Sequence, residues 1–300
     1  MKTVLPGAAI GLLGGGEAAR MLALAARQMG YRVSVYSPDR DDVARSVCDS
    51  GVHRELDDLI SLRQFVASVD VVAAMDSSIS AIALDAVADC SNLQPSAAVI
   101  DAVRSIPGAV PATDATLEFV VTGARGANGS WRFYSPIAID RAGASIDIAR
   151  MPAAIGPRMA NQAAETVRGI LDPLEFIGVA SAEFSLTGEH ELERGPITPF
   201  LHAAGCLTVE ACVTSQFEQH LRAICGLPLG SVEMLTPAAS LTLRDSDWQS
   251  GEPDWAGACA LPDVKLHVHG PRNAHLTAIA PSATRAKQIV RAARLALIRA

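Results

Sequence analysis

Residues 10–33 read IGLLGGGEAARMLALAARQMGYRV, and this stretch decides the fold of the first part of the chain. The apolar run before the glycines predicts a buried strand, and the alanine- and leucine-rich run after them predicts a helix that ends at Gly30. A second strand is predicted at residues 32–37, a third at 69–75 and another helix at 81–88. Such alternation is typical of a parallel sheet covered by helices.

The glycine-rich turn is a candidate anion site. Gly14, Gly15 and Gly16 lie between the strand and the helix, and Glu17 follows them, a pattern in which backbone N–H groups can hold a phosphate. A dinucleotide site would also need an acidic residue at the end of the second strand, where Ser37 stands. The dinucleotide interpretation is therefore weak. The alternative is that the glycines only permit a tight turn.

Composition limits the classes of function. The chain has 300 residues, 49% of them hydrophobic, which suits two or three small domains. Its net charge of −7 argues against nucleic acid or an anionic membrane as a partner. The six cysteines have no metal-like spacing, so we expect reduced thiols and no metal site. Neither a signal peptide nor a membrane span is predicted, so a soluble cytoplasmic protein is expected.

The second half predicts strands mixed with helices. Residues 105–111 (SIPGAVP) form a predicted connector, and strands at 117–124 and 131–134 form a predicted antiparallel hairpin. The remaining predicted elements are a helix at 160–171, a strand at 176–186, a helix at 207–225, and short strands from 235 onward before a basic helix at 283–300.

A second motif points to a family. Residues 214–231 read TSQFEQHLRAICGLPLGS, and with the glycine-rich opening they resemble 5-(carboxyamino)imidazole ribonucleotide synthase, an ATP-grasp ligase of purine biosynthesis. The likeness extends to SAEFSLTGEHEL at 181–192, TVEAC at 208–212 and GEPDWAGACALPDVKLH at 251–267. The chain is thereby identified as a member of this family in which part of the chemistry is altered or lost.

The resemblance implies an α/β fold of three parts. They are a Rossmann-like pre-ATP-grasp domain at residues 1–104, a truncated ATP-grasp remnant at 105–234 and a small, mostly β C-terminal domain at 235–300. In the family, the glycine loop lines the imidazole-ribonucleotide side of the cleft. The resemblance therefore implies that Gly14, Gly15, Gly16 and Glu17 bind a small anionic or nucleotide-like ligand.

The ATP-binding lobe of the family has no evident counterpart. Only a short connector precedes EFVVTGARG at 118–126, which resembles the family's strand just after that lobe. A triphosphate needs several cations or metal ions, and Lys2, Lys265 and Lys287 are the only lysines in the sequence. We therefore expect no ATP binding in the family's manner and no cofactor.

The magnesium ligands are also incomplete. Glu183 matches the first of the family's two ligands, but the Asn-Glu pair that holds the second falls on Gly195 and Pro196. Neither residue has the side-chain oxygen that a hard cation needs. In the first domain, Asp76 and Ser77 replace an acidic family motif and are candidate ligand-binding residues.

Three residues are candidates for catalysis, and Arg272 is a candidate for binding. His202 is retained from the family, while a second family His becomes Cys206, four residues later. On a helix the two would share a face, with His202 as acid–base group and Cys206 as nucleophile, and Glu183 is the third candidate. The alternative is that Cys206 is a small core residue. Arg272 is the remaining cation of the family's phosphate loop.

Three functions are compatible with this sequence. The leading hypothesis is a repurposed, ATP-independent enzyme of specialised or purine-related small-molecule metabolism. The second is a non-catalytic partner of a true ligase, and the third is retained synthase activity with ATP bound differently. Residues 214–231 belong to a well-matched helix, so a homodimer is also expected.

Overall fold

The first domain is built on a parallel sheet. A computed structural model describes residues 2–75, 79–90, 92–109, 115–188, 191–249 and 251–298. The strands of this sheet are β1 Ala9–Leu13, β2 Arg32–Ser37, β3 Ser50–His53, β4 Val71–Ala74 and β5 Leu93–Gln94, in the order β3-β2-β1-β4-β5. The helices are α1 Gly16–Gln28, α2 Leu59–Ala67, α3 Ala81–Val87 and α4 Ala97–Arg104, with a 3₁₀ helix at Val43–Val47. This confirms the predicted Rossmann-like sheet.

The central strands of this sheet are buried on both faces. All four residues of β4 are buried, as are four of the five in β1, because helices cover the sheet on either side. Such strands appear in the sequence as uninterrupted apolar runs. Helix α1 ends where Gly30 takes a positive φ of 86°, as the sequence predicts.

The second half forms one large sheet. Its strands are β6 Leu117–Arg125, β7 Trp131–Phe133, β8 Ile137–Ala142, β9 Ser145–Met151, β10 Gly178–Leu186, β11 Leu192–Thr198, β12 Ala238–Thr242, β13 Val264–Gly270 and β14 Asn273–Ile279. They follow the order β11-β10-β6-β8-β9-β12-β14-β13, with β7 paired to β6. Because β12 pairs with β9, the sheet continues across the predicted boundary at residue 234. The exact domain limits remain a prediction.

The predicted helix at 207–225 is interrupted. The helices of this half are α5 Pro157–Leu171, α6 Thr208–Ala211, α7 Gln216–Ile224, α8 Trp255–Cys259 and α9 Ala283–Ile298, with 3₁₀ helices at Ala203–Leu207 and Asp245–Trp248. The break has a polar cause. The Thr208 hydroxyl accepts the N–H of Gln216, and the Ser215 side chain accepts the N–H of Glu218, so the side chains start a new helix.

Helix α7 joins the two halves of the chain. Its buried side chains Phe217, Leu221 and Ile224 pack with Met21 and Leu22 of α1 in one hydrophobic cluster. Residues 214–231 therefore lie at a contact between domains of a single chain, and a homodimer does not follow from their burial. No described helix is long and apolar enough to cross a membrane.

Candidate active site

Glu183, on β10, lies at the centre of one polar cluster. His202 Nε2 is 3.4 Å from its Oε1, and the Arg141 guanidinium on β8 bonds its Oε2. The other ring nitrogen of His202 accepts the N–H of Ala204, so the Nε2 atom carries the proton that faces Glu183. The hydrogen bond from His202, assisted by the charge of Arg141, lowers the pKa of Glu183 against the effect of burial. Glu183 is therefore a carboxylate at neutral pH, suited to bind a cation or accept a proton.

The position of the missing magnesium ligand is directly beside Glu183. A Cβ atom on Gly195, in β11, would lie 3.3 Å from the Glu183 Cβ atom. Gly195 is thus a neighbour of Glu183, and it offers no side-chain oxygen. The family's two-ligand magnesium site does not fit these residues.

The adjoining sheet surface gathers cations that the sequence analysis missed. Arg141 pairs with Glu118 at 2.7 Å as well as with Glu183. Arg150, on β9, pairs with Asp140 at 2.6 Å. Helix α9 brings Lys287 to within 2.5 Å of the same Asp140 carboxylate.

Five of these side chains lie on or beside one cavity. We call this group of side chains the cation face. It comprises Glu118, Asp140, Arg141, Arg150 and Lys287, and the cavity has a volume of about 290 Å³, lined by the first four of these residues. Asp140, Arg141 and Arg150 lie on strands β8 and β9. The sequence analysis did not predict these two strands, so it could not place their side chains together. Lys287 alone was noted, but its place at this cavity was not.

The glycine loop is occupied by an internal carboxylate. The Gly16 N–H lies 3.1 Å from both oxygens of Asp42, and the Ser37 hydroxyl donates to Asp42 at 2.8 Å. Gly14 and Gly16 have positive φ values of 100° and 85°, so the turn needs glycine there. An anion at the Gly16 N–H would have to displace Asp42. Whether Gly14, Gly15 and Gly16 bind a ligand remains a prediction.

Cys206 does not pair with His202. It lies in the 3₁₀ helix Ala203–Leu207, for which His202 is the N-cap, and its Sγ atom is 3.7 Å from Oε1 of Glu17. Burial and the negative charge of Glu17 raise the pKa of the Cys206 thiol well above its ordinary value. A nucleophilic cysteine needs the opposite shift, and the hydrogen bond of Cys206 in the described part of the chain is to Glu17, so the expected His202–Cys206 catalytic pair gains no support here.

Glu17 is the first helical carboxylate after the glycine loop and meets two histidines. His275 Nδ1 lies 2.9 Å and His269 Nε2 lies 3.2 Å from its Oε1 atom. Burial opposes ionisation of Glu17, but the hydrogen bonds from these imidazoles lower its pKa overall. The histidines lie on β13 and β14 and were not among the predicted site residues.

Arg272 is at the tip of the β13–β14 hairpin. It has a positive φ of 55° and lines a cavity of about 540 Å³ together with Trp248 and Trp255. Glu252 lines the same cavity and accepts a hydrogen bond from Trp255 Nε1, so Arg272 is accompanied there by a negative charge. Asp76 and Ser77 lie outside the described residues.

The class of protein follows from the fold and from comparison with known families. Residues 7–104 match the ribonucleotide synthetase preATP-grasp domain, and residues 112–217 match the ATP-grasp domain. N5-carboxyaminoimidazole ribonucleotide synthase of Bacillus subtilis (strain 168) is 25% identical over 340 residues, which covers 90% of this chain and 89% of the relative. This alignment is longer than the chain itself, so the relative has segments without a counterpart here.

Solved structures confirm the fold. An N5-carboxyaminoimidazole synthetase from Staphylococcus aureus, complexed with ADP, has a TM-score of 0.88 at 22% identity and covers 98% of this chain and 99% of its own. The synthase from Aspergillus clavatus, in complex with ADP and 5-aminoimidazole ribonucleotide, has a TM-score of 0.82 at 19% identity, covering 98% and 99%. The protein is an ATP-grasp-type α/β protein. It belongs to the N5-carboxyaminoimidazole ribonucleotide synthase family.

Proposed function

We propose that the protein is a ligase of its family's type, which uses ATP to carboxylate an aminoimidazole ribonucleotide. The observation behind this proposal is the likeness to synthases along 90% of the chain, in both domains. The leading hypothesis from the sequence, an ATP-independent enzyme, has no support among these relatives, two of which were solved with ADP. Retained activity with ATP bound differently is the better-supported alternative.

The cation face supports a different mode of ATP binding. Arg141 and Arg150, with Lys287 from α9, bring three positive charges to this cavity, each of them paired with a carboxylate. Arginine can bind a phosphate through two parallel hydrogen bonds, which suits the terminal phosphates of ATP. Magnesium would arrive with ATP, and the carboxylates released from these ion pairs offer oxygen ligands of the kind it prefers.

Binding at this face requires an exchange of partners. Each guanidinium must leave a carboxylate before it contacts phosphate, and in this proposal Arg141 releases Glu183. The freed Glu183 carboxylate then faces the entering ligand, with the His202 N–H still directed at it. This arrangement gives Glu183 the role of cation ligand or proton acceptor in the proposed reaction.

A second candidate function is ribonucleotide binding without catalysis. The absent side chain at Gly195, beside Glu183, favours it, because the family's second magnesium ligand would lie there. In this case the Arg272 cavity binds the ribonucleotide while the cation face keeps its ion pairs. Under either candidate function we also propose that the protein is a soluble, cytoplasmic homodimer. Light scattering on the purified protein, which measures its molar mass in solution, tests the dimer.

Phosphate release distinguishes the two candidates. The purified protein is incubated with ATP, magnesium, bicarbonate and 5-aminoimidazole ribonucleotide, and inorganic phosphate is measured with and without the ribonucleotide. We expect ribonucleotide-dependent release, reduced about ten- to hundredfold in Arg141→Ala because one charge-assisted hydrogen bond is lost. Calorimetric binding of the ribonucleotide with no phosphate release would support the second candidate and refute the first.

Arg168→Ala is the matched control. Arg168 also forms an ion pair with a glutamate, Glu165 at 2.9 Å, but it lies on the exposed side of α5. Its loss should leave phosphate release unchanged, since exposed ion pairs contribute little to stability. Equal losses in Arg141→Ala and Arg168→Ala would show that the effect is not specific to the cation face.

A further inference from the structure

Four side chains from three separate parts of the chain meet behind the glycine loop. Glu17 begins α1, Cys206 lies in the 3₁₀ helix after β11, and His269 and His275 lie on the β13–β14 hairpin. One ligand atom each from Glu17, Cys206 and His275 lie within 4.8 Å of one another. His269 Nε2 lies 2.9 Å from His275 Nδ1 and 3.2 Å from Glu17 Oε1, but it is outside the group of atoms within 4.8 Å of one another, so it must move towards Cys206 to become a fourth ligand.

A β-bulge explains how the hairpin presents two imidazoles to one point. The pairing of β13 with β14 shifts between Val268 and Gly270, so the strand bends at His269. The rings of His269 and His275 are stacked with centroids 5.0 Å apart. Both side chains are only 1% exposed, and Glu17, at 27%, is the side of the cluster open to solvent.

With Glu17 ionised and both imidazoles neutral, hydrogen bonds cannot satisfy all the contacts among Glu17, His269 and His275. The carboxylate oxygen only accepts, so both ring nitrogens that face it must donate. The same two nitrogens lie 2.9 Å apart, where one must donate and the other accept. These requirements are incompatible for neutral imidazoles beside a carboxylate. A metal cation removes the conflict, because it accepts a lone pair from every one of the three atoms.

We propose that Glu17, Cys206, His269 and His275 form a binding site for a zinc ion. The mixture of thiolate, imidazole and carboxylate ligands is one that zinc binds in proteins, usually with four ligands in a tetrahedron. Metal–ligand bonds of about 2.0–2.1 Å separate tetrahedral ligand atoms by roughly 3.3 Å. The three N and O separations, 2.9, 2.9 and 3.2 Å, need to widen by only a few tenths of an ångström.

The charges of the site are balanced when zinc is bound. A thiolate and a carboxylate carry two negative charges, which neutralise Zn²⁺, while the imidazoles are neutral.

A second group of side chains supports the hairpin around the site. His267 stacks on His275 with ring centroids 4.4 Å apart, and its Nε2 atom is 2.8 Å from Oε1 of Glu210. Glu210 lies on α6, four residues after Cys206. The ion would therefore link the first domain, the segment that contains Cys206 and the C-terminal hairpin into one unit. The site is distinct from the cation face, and it includes Glu17, which the resemblance places among the ligand-binding residues of the glycine loop.

Zinc titration of the full-length protein tests this proposal. The protein, free of any affinity tag, is dialysed against a chelator, and zinc chloride is then added in a calorimeter. We expect one zinc ion per chain with a dissociation constant on the order of 1 μM or tighter. Loss of a side chain that only hydrogen-bonds to a metal ligand weakens zinc affinity by about 10- to 100-fold. Loss of a direct ligand, in Cys206→Ala or Glu17→Gln, should therefore weaken zinc binding at least about 100-fold.

Cobalt supplies a spectroscopic readout of the thiolate ligand. Cobalt-loaded wild-type protein should show a near-ultraviolet thiolate-to-cobalt band, which Cys206→Ala should lack. Cys212→Ala, which removes another buried cysteine outside the cluster, should keep both the band and the zinc affinity. Circular dichroism confirms that each variant is folded. Absence of zinc binding in the wild type, or equal binding in Cys206→Ala, would overturn the proposal.

Discussion

His220, on α7, gives the protein a pH-dependent stability that can be calculated from its surroundings. The residue is 1% exposed, and its Nδ1 atom accepts the Val179 N–H at 3.0 Å, so the proton of the neutral ring is on Nε2. Burial lowers the pKa of His220 from 6.5 to about 4. Protonation of Nδ1 would place a second proton against the Val179 N–H inside the core.

The sign and size of the effect follow from this shift in pKa. The unfolded chain takes up a proton as the pH falls below 6.5, whereas the folded chain does so only near pH 4. The contribution of neutral His220 is therefore complete above pH 6.5 and is lost as the pH falls towards 4. At 1.36 kcal/mol per pKa unit, the free energy of unfolding should fall by about 2 kcal/mol between pH 7 and pH 5.

Urea unfolding of the wild type and of His220→Asn measures this contribution. The asparagine oxygen can still accept the Val179 N–H but does not titrate in this range. The loss of unfolding free energy between pH 7 and pH 5 should be about 2 kcal/mol larger in the wild type. Losses that agree within about 0.5 kcal/mol in the two proteins would refute the reasoning.

Four substitutions, one of them a control, test other parts of the structure. In Gly15→Ala the new Cβ atom would lie 1.4 Å from an Asp42 oxygen, so the carboxylate must leave the loop, and a thermal melt should show a loss of about 1–3 kcal/mol. Phe217→Ala should lower the urea-unfolding free energy by about 3–5 kcal/mol, whereas the exposed Leu24→Ala should change it by under about 0.5 kcal/mol. Arg272→Ala should weaken calorimetric binding of 5-aminoimidazole ribonucleotide about tenfold without changing the melting temperature.

The fold could be predicted where local pattern and tertiary packing agree. The strand–glycine–helix unit at the start of the chain has its apolar runs, turn and helix end within two dozen residues. Strand β3 was missed because Ser50–His53 is short, polar and only partly buried. The helix predicted over 207–225 was wrong, because its interruption depends on the hydroxyl groups of Thr208 and Ser215, which apolar periodicity does not reveal.

Contacts at the site could be predicted from the sequence only for residues that align with known positions of the family. Glu183 and Gly195 are neighbours as the resemblance implies. By contrast, Asp42 reaches the glycine loop from 26 residues away, and His275 meets Glu17 across 258 residues. Such contacts depend on strand register and on the packing of whole domains. They leave no trace in sequence spacing, so the cysteine pattern alone could not indicate the proposed zinc site.

Direct titration with magnesium-ATP tests the proposed ATP site at the cation face. We expect one site per chain in the calorimeter, with a dissociation constant on the order of 10 μM, which is about tenfold or more weaker in Arg150→Ala and unchanged in Arg168→Ala. Absence of binding at millimolar ATP, or the same affinity in Arg150→Ala as in the wild type, would contradict the account.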